Sequence, residues 1–275
     1  MSPSLHGSGK RVLITGAAGG IGSATIAELR KHGARVVGLD LNPGEDGEII
    51  ACDVRHQESV DAAIAEGIER LGGLDVLINC AGIGLPQLAG ERPNAGSEAV
   101  IDINLMGPWR CTGAAIEALL ASQGRVVNVS SGLANLTIPL AAAYCASKSG
   151  LVAYSDALRL EFGDRITVTT VYPGYIKTPI HDAAAEQGVG LEGAVPPESV
   201  GNAARIMARA ALGRPIRDLA TTRRGTVSYA ALRAVPRGVM DRLTLKSFQR
   251  TFADRDDVDE MPLTAPISRR LKPKP

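Results

Sequence analysis

Six short runs rich in Val, Ile and Leu recur along the first two thirds of the chain. They are "RVLIT" at 11–15, "RVVGLD" at 35–40, "EIIACDV" at 48–54, "DVLINCAG" at 75–82, "RVVNVSS" at 125–131 and "ITVTTVYPG" at 166–174. Between them lie longer segments of helical apolar periodicity, at 20–32, 57–71, 95–121 and 143–162. Strands that are apolar at nearly every position must be covered on both faces, and strand–helix alternation achieves this with a parallel sheet. Right-handed crossovers then predict an α/β, doubly wound parallel sheet in three layers, with ligands at the carboxyl ends of the strands. The 275 residues are enough for one such domain with a large core.

The first run ends in "LITGAAGGIG", residues 13–22. Gly16, Gly20, Ile21 and Gly22 sit where a strand turns into a helix. Without Cβ atoms the backbone there can approach a pyrophosphate, and the helix N-terminus adds N–H groups and a positive dipole. Close helix packing is the competing reason for such a turn. The spacing is TGxxxGxG rather than GxGxxG. The second run ends in Asp40, whose carboxylate can accept the hydrogen bonds of an adenosine ribose diol and would repel a 2′-phosphate. No Arg or Lys occupies Ala17, Ala18 or Leu41 to neutralise such a phosphate. NAD is therefore the expected cofactor, although Asp40 followed by Asn42-Pro43 would also serve as a plain turn.

In "AAAYCASKSG", residues 141–150, Tyr144 and Lys148 stand four apart among small residues. That spacing puts both on one helical face. An ammonium beside a phenol favours phenolate, so the pair is expected to give an acid/base usable near neutral pH. An aromatic on a core face with a snorkelling Lys is the plainer reading of the pair taken alone.

Taken with "INCAG" (78–82), "IDINLMGP" (101–108) and "VVNVSS" (126–131), these motifs resemble the short-chain dehydrogenase/reductase family over residues 10–180. The resemblance implies a Rossmann-like fold and an NAD-dependent oxidoreductase acting on a secondary alcohol or ketone. It implies a catalytic tetrad of Asn104, Ser131, Tyr144 and Lys148, with Ser131 preferred to Ser130 by its interval to the Tyr. In that tetrad Asn104 would hold a water that links Lys148 to solvent. Asp53 and Val54 would border the adenine, and Asn79, Ala81 and Gly82 would line the cofactor. Pro173 and Gly174 open a "PG" segment that brings Ile176 and Thr178 to the nicotinamide carboxamide. The family's usual NNAG is NCAG here, with Cys80 replacing an Asn that supports the sheet. The resemblance also implies a homodimer or homotetramer built on helices at 95–121 and 143–162. An NADPH-dependent carbonyl reductase and a non-catalytic NAD-sensing regulatory protein are the alternatives.

The whole chain is expected to be one domain (1–275), with a substrate lid at 179–200 and a C-terminal helical extension at 222–275. The lid carries His181, expected to face solvent. "RPIRDLATTRRG" (214–225) is a candidate last strand, followed by helices at 226–234 and 238–250. Leu85, Leu88, Leu133, Leu136, Ile138 and Leu140 predict an aliphatic pocket and a lipophilic small-molecule substrate.

Residues 201–275 carry 16 Lys/Arg against 7 Asp/Glu, but no nucleic-acid motif accompanies them. This basic segment is expected to pack on the substrate lobe or a neighbouring subunit, with peripheral docking on an anionic membrane as the other reading. The last residues, "APISRRLKPKP", hold too little apolar surface to fold alone and are expected to be disordered or draped over a neighbour. No run of 18 apolar residues predicts a transmembrane helix. Cys52, Cys80, Cys111 and Cys145 lack disulfide or metal-ligand spacing, and "MSPSLHGSGK" lacks a signal-peptide core. The expectation is a cytoplasmic protein with no metal.

Overall fold

Each of the six apolar runs forms a strand, most of them shorter than the run itself. The computed structural model describes residues 7–45, 47–178, 180, 182–189, 197–221, 235–253 and 255–272. The strands are β1 (Arg11–Thr15), β2 (Arg35–Asp40), β3 (Ile49–Ala51), β4 (Val76–Asn79), β5 (Arg125–Val129) and β6 (Thr167–Tyr172). The candidate last strand gives β7 (Asp218–Ala220). All pair in parallel, in the order β3-β2-β1-β4-β5-β6-β7. The runs overshoot because their C-terminal residues leave the ladder to form the loops of the ligand edge. Cys52 still donates to the Asp40 carbonyl at 2.8 Å, and then the chain turns into the next helix.

Side-chain alternation divides the core into two layers. Val12 and Ile14 of β1 face α1 (Gly20–Lys31) and α7 (Val200–Leu212), whereas Leu13 faces α2 (Gln57–Leu71). The second layer is completed by α4 (Gly107–Ser122) and α5 (Ala142–Phe162). Buried Ala203, Ala204, Ala208 and Ala211 give α7 a narrow face, which lets it approach α1 and the sheet closely.

The predicted helix at 95–121 is interrupted. It comprises α3 (Ala95–Ile101), capped by Asn94 and Ser97, then one π turn (Asp102–Met106), then α4. The cause is legible in "NLMGP". Pro108 has no N–H for the Asn104 carbonyl, and the Gly107 N–H bonds five residues back to Asp102.

Beyond β6 lie α6 (Asp182–Glu186), and beyond β7 α8 (Arg237–Phe252) and α9 (Ser268–Leu271). Phe248 and Phe252 of α8, Val258 and Leu271 pack with Leu88, Leu140 and Val189 into a third apolar cluster. The C-terminal segment thus packs on the loops after β4 and β5 and on the end of α6. The expectation for the last residues needs correction. Residues 265–271 form a 3-10 turn and α9, and Leu271 is fully buried. They need not fold alone, because α8 supplies the apolar partners. Val239 and Leu243 on the opposite side of α8 remain exposed. His181 and the helix expected at 226–234 lie outside the described residues. Among the described residues, no helix is long and apolar enough to cross a membrane.

Leu271→Asp should therefore open this cap. Losing a buried leucine costs about 2–4 kcal/mol, so tryptic cleavage around Arg250 and Arg255 should accelerate by roughly thirtyfold or more. Unchanged cleavage kinetics would show that the terminal turn contributes nothing to the lobe.

Candidate active site

The sheet changes winding direction between β1 and β4, and a cleft of about 830 Å³ opens at the carboxyl ends of these strands. Its floor is set by Thr15, whose hydroxyl accepts from the N–H groups of Cys80 (3.0 Å) and Ala81 (3.1 Å). Gly16 has φ +69°, and a Cβ there would lie 2.8 Å from the Ala81 backbone. A Cβ on Gly22 would lie 2.0 Å from the Gly16 carbonyl oxygen. Both glycines are fixed by the close packing of the loop on itself. Gly20 differs, since its nearest neighbour would be a Thr178 methyl at 3.4 Å, and it faces the open cleft. Gly19 gives α1 no side-chain cap and the first turn holds no acid, which leaves the positive helix end free for an anion.

At the far end, Asp40 is oriented by its own backbone neighbours. One carboxylate oxygen accepts from Ala18 N (2.9 Å), the other from Asn42 N (3.0 Å). Asp53 and Val54 line the same end together with Arg55, a residue that sequence reasoning missed. The Arg55 guanidinium grips Asp53 at 2.6–3.1 Å and pulls its carboxyl pKa down to about 2. That cation is committed to Asp53.

Of the residues expected at the cleft, Gly16, Gly20, Ile21, Gly22, Asp40, Asp53, Val54, Ala81, Gly82, Ser131, Tyr144, Lys148, Pro173, Gly174, Ile176 and Thr178 all line it. Asn79 and Asn104 do not. The Asn79 amide points into the core, donating to Asn128 Oδ1 (2.8 Å) and Thr112 Oγ1 (3.2 Å), and Cys80 takes its place on the wall. The Asn79 Oδ1 is buried without a partner. Asn104 is fully buried. Its Oδ1 accepts from Ile83 N (2.9 Å), and its Nδ2 donates to the Ile83 carbonyl (2.9 Å) and Ser147 Oγ (3.1 Å). With the amide so clamped, the side chain cannot be the group that holds water. The Asn104 carbonyl is another acceptor, since Pro108, four residues on, has no N–H to offer it.

Ser130 and Ser131 separate by their partners. Ser130 Oγ donates to the Lys148 carbonyl at 3.0 Å, so it braces α5. Ser131 lies on the cleft, where its hydroxyl accepts from Leu133 N at 3.2 Å and also bonds the Tyr144 phenol. Lys148 is almost wholly buried, and its Nζ donates to the Val129 carbonyl at 3.0 Å and lies 5.8 Å from the centre of the Tyr144 ring. Gly82 makes room for it, since a Cβ would meet Nζ at 3.4 Å and Asn104 Oδ1 at 3.1 Å.

Burial dominates the electrostatics of the Tyr144–Lys148 pair. Burial pushes the Tyr144 phenol up, and the Ser131 hydroxyl only partly offsets this. Burial also brings Lys148 down to about 8. The ammonium lies over the ring and bonds to a carbonyl, so desolvation outweighs its help to the phenolate. Among the described residues, no cluster of His, Cys, Asp or Glu has the makings of a metal site.

The family model described as short chain dehydrogenase matches residues 10–188. The chain is 32% identical over 194 residues to the oxidoreductase UcpA of Escherichia coli (strain K12), covering 65% of this chain and 74% of that protein. It is 34% identical over 222 residues to the 3-oxoacyl-[acyl-carrier-protein] reductase FabG of Rickettsia bellii, covering 73% and 90%. Its fold is similar to the ligand-free aldohexose dehydrogenase of Thermoplasma acidophilum, with a TM-score of 0.69 and 27% identity over 77% of this chain and 92% of that one.

The depressed Lys148 predicts a pH effect with a definite sign. Between about 8 and the free-lysine value the unfolded chain binds the proton that the folded one has lost, so this group destabilises most below pH 8 and progressively less above it. Wild type should gain on the order of 2 kcal/mol relative to Lys148→Met between pH 7.5 and 9.5 in urea unfolding. Parallel stability profiles would place the charge in water.

Proposed function

The chain belongs to the short chain dehydrogenase family, and on that premise we propose that it is an NAD-dependent oxidoreductase interconverting a lipophilic secondary alcohol and its ketone. The carrying observation is the convergence of Ser131, Tyr144 and Lys148 on one cleft whose other end is a glycine turn followed by Asp40. We read the chain as one domain, with residues 10–180 as its catalytic core.

The residues present fit a dinucleotide. The open N-terminus of α1 and Gly20 would take the pyrophosphate, with Ile21 and Gly22 completing the turn. Asp40 would take the adenosine ribose diol. Its carboxylate, with Arg55 already held by Asp53, favours NAD over its 2′-phosphorylated form. Asp53 and Val54 would border the adenine. Cys80, Ala81 and Gly82 would line the middle of the cleft, and Pro173, Gly174, Ile176 and Thr178 the nicotinamide end. Once bound, the nicotinamide supplies the hydride acceptor or donor.

In oxidation Tyr144 would take the proton of the alcohol hydroxyl, while the bound dinucleotide would supply the acceptor for the hydride, leaving a ketone. Ser131 holds the substrate oxygen throughout. In reduction the neutral phenol favoured by burial is the proton donor. Lys148 would hold the ribose hydroxyls of the dinucleotide and pass protons toward the Asn104 carbonyl, where a water would complete the route to solvent. Asn104, through its amide, fixes the Ile83 loop and thereby the π turn.

Two further proposals concern the molecule's setting. Trp109 of α4 stacks on Tyr154 of α5 at 4.8 Å yet is 53% exposed, and Leu160 of α5 is 88% exposed. Large apolar side chains in solvent on paired helices support a homodimer or homotetramer through this face. The four free cysteines support a reducing cytoplasmic setting.

Three measurements test this. NADH should bind more tightly than NADPH in a fluorescence titration, and the reverse order would overturn the reading of Asp40. Tyr144→Phe should retain NADH binding while lowering turnover of apolar secondary alcohols by roughly 10²–10⁴. Equal turnover in mutant and parent would remove Tyr144 from the chemistry. Trp109→Glu with Leu160→Glu should shift sedimentation to the monomer mass, and an unchanged oligomer would locate the interface elsewhere.

A further inference from the structure

Beside the main cleft, and sharing Tyr144 with it, lies a smaller cavity of about 70 Å³. Among the described residues that line it, Tyr144 is the one with a polar side chain. Its walls come from four separate stretches. Leu85 follows β4, Leu133 and Leu140 follow β5, Val189 follows α6, and Phe248 projects from α8. Phe248 closes the far end and is backed by Phe252, whose ring centre lies 5.4 Å away, and by Val258 and Leu271.

Two features show that this enclosure is held in place. Leu140 adopts φ +64°, a left-handed conformation costly for a bulky side chain, and the Gln87 N–H fixes its carbonyl at 2.8 Å. Arg255, beyond α8, pairs with Asp257 at 2.7 and 3.0 Å and donates to the Gly188 carbonyl. The second contact ties the end of α6, and with it Val189, to the C-terminal cap. Gly188 has φ +72°, and a Cβ there would lie 2.8 Å from the Met261 sulfur.

We propose that the C-terminal cap makes this cavity a closed aliphatic subsite for one arm of the substrate, with Phe248 setting the length limit. The inference rests on the oxidoreductase reading and narrows its substrate to ketones and secondary alcohols bearing a compact hydrocarbon arm of about five or six carbons, branched or cyclic. A sugar or polyol arm would bury hydroxyls against walls with no side-chain partner, and each unpaired hydroxyl should weaken binding by about tenfold. A long acyl arm would meet Phe248 and the cluster behind it.

The test is a series of methyl ketones of four to twelve carbons, with cyclohexyl methyl ketone and ribulose, assayed with NADH on wild type, Phe248→Ala and Phe248→Leu. Ketone binding is followed in parallel by thermal shift in the presence of NADH. Wild-type kcat/KM should peak at a five- or six-carbon arm and fall at least tenfold for the longest ketone, with ribulose about a hundredfold below the peak. Phe248→Ala should raise kcat/KM for the longest ketone about tenfold and lower it for the shortest about threefold, with Phe248→Leu between. If Phe248→Ala does not fold, Val189→Ala enlarges the same cavity from another wall and should shift the optimum in the same direction. Ribulose equal to the best ketone, or length profiles unmoved in every folded variant, would overturn the proposal. Thermal shifts with the expected cut-off, moved by Phe248→Ala but without turnover, would uphold the subsite and overturn the oxidoreductase reading. Turnover of ribulose without ketone binding would do the reverse.

Discussion

The Thr15 hydroxyl, accepting the N–H groups of both Cys80 and Ala81, joins the ends of β1 and β4 where the two strands begin to diverge. Parallel strands that feed helices on opposite faces must separate at this point, and the backbone groups beyond the last ladder bond need other partners. A single side-chain oxygen satisfies two of them. It also holds Ala81 against Gly16, whose own carbonyl abuts Gly22 of α1. The open helix end, the glycine turn and the wall formed by Cys80 and Gly82 therefore move as one piece. Every residue that would contact the dinucleotide phosphates is referred to this junction.

A second set of polar contacts lies behind the cleft rather than in it. Asn128 accepts from Asn79 and donates to Ser155, which donates to the Leu151 carbonyl, while Thr112 receives the other Asn79 proton and donates to Pro108. These bonds tie the two central strands to α4, which continues the π turn holding Asn104, and to α5, which carries the Tyr144–Lys148 pair. Such groups are high-stakes in a low-dielectric core, because each must be satisfied for the set to stabilise. The unpartnered Asn79 oxygen is adjacent in sequence to Cys80, the position at which the family's usual asparagine is absent. Nothing in the structure shows a group that replaces it.

Much of this was legible from residue order. Strand identity, helix placement on both faces, and the residues of the glycine turn follow from apolar periodicity and from glycine spacing, which are local properties. Asn79 was misplaced, and the orientation of the Asn104 amide went unread, because motif position does not show which way a side chain points. The odd or even register of a strand, and the neighbours of a π turn, decide that. The electrostatics of the tyrosine were illegible for a related reason. A spacing of four brings Lys148 near the ring, but the balance between ammonium and desolvation depends on enclosure by residues distant in sequence. The same holds for the tail. Leu271 looks isolated among charges and prolines until α8 offers Phe252 and Val258. Pro108, by contrast, announced the broken helix in the sequence itself, and Thr15 could have been found from its place directly before Gly16.

The position of the cap at the end of the chain has a bearing on biosynthesis. A parallel sheet with β7 at its edge already demands pairings between distant segments, which fold slowly. Here Leu88 and Leu140, presented early by the loops after β4 and β5, wait for partners that are made after the sheet. Until α9 emerges and Leu271 docks, a nascent chain with a complete sheet still shows an oily concavity beside Tyr144. That concavity is the kind of surface chaperones engage and that drives aggregation among incomplete chains. Synthesis from the N-terminus thus places closure of this concavity after completion of the sheet.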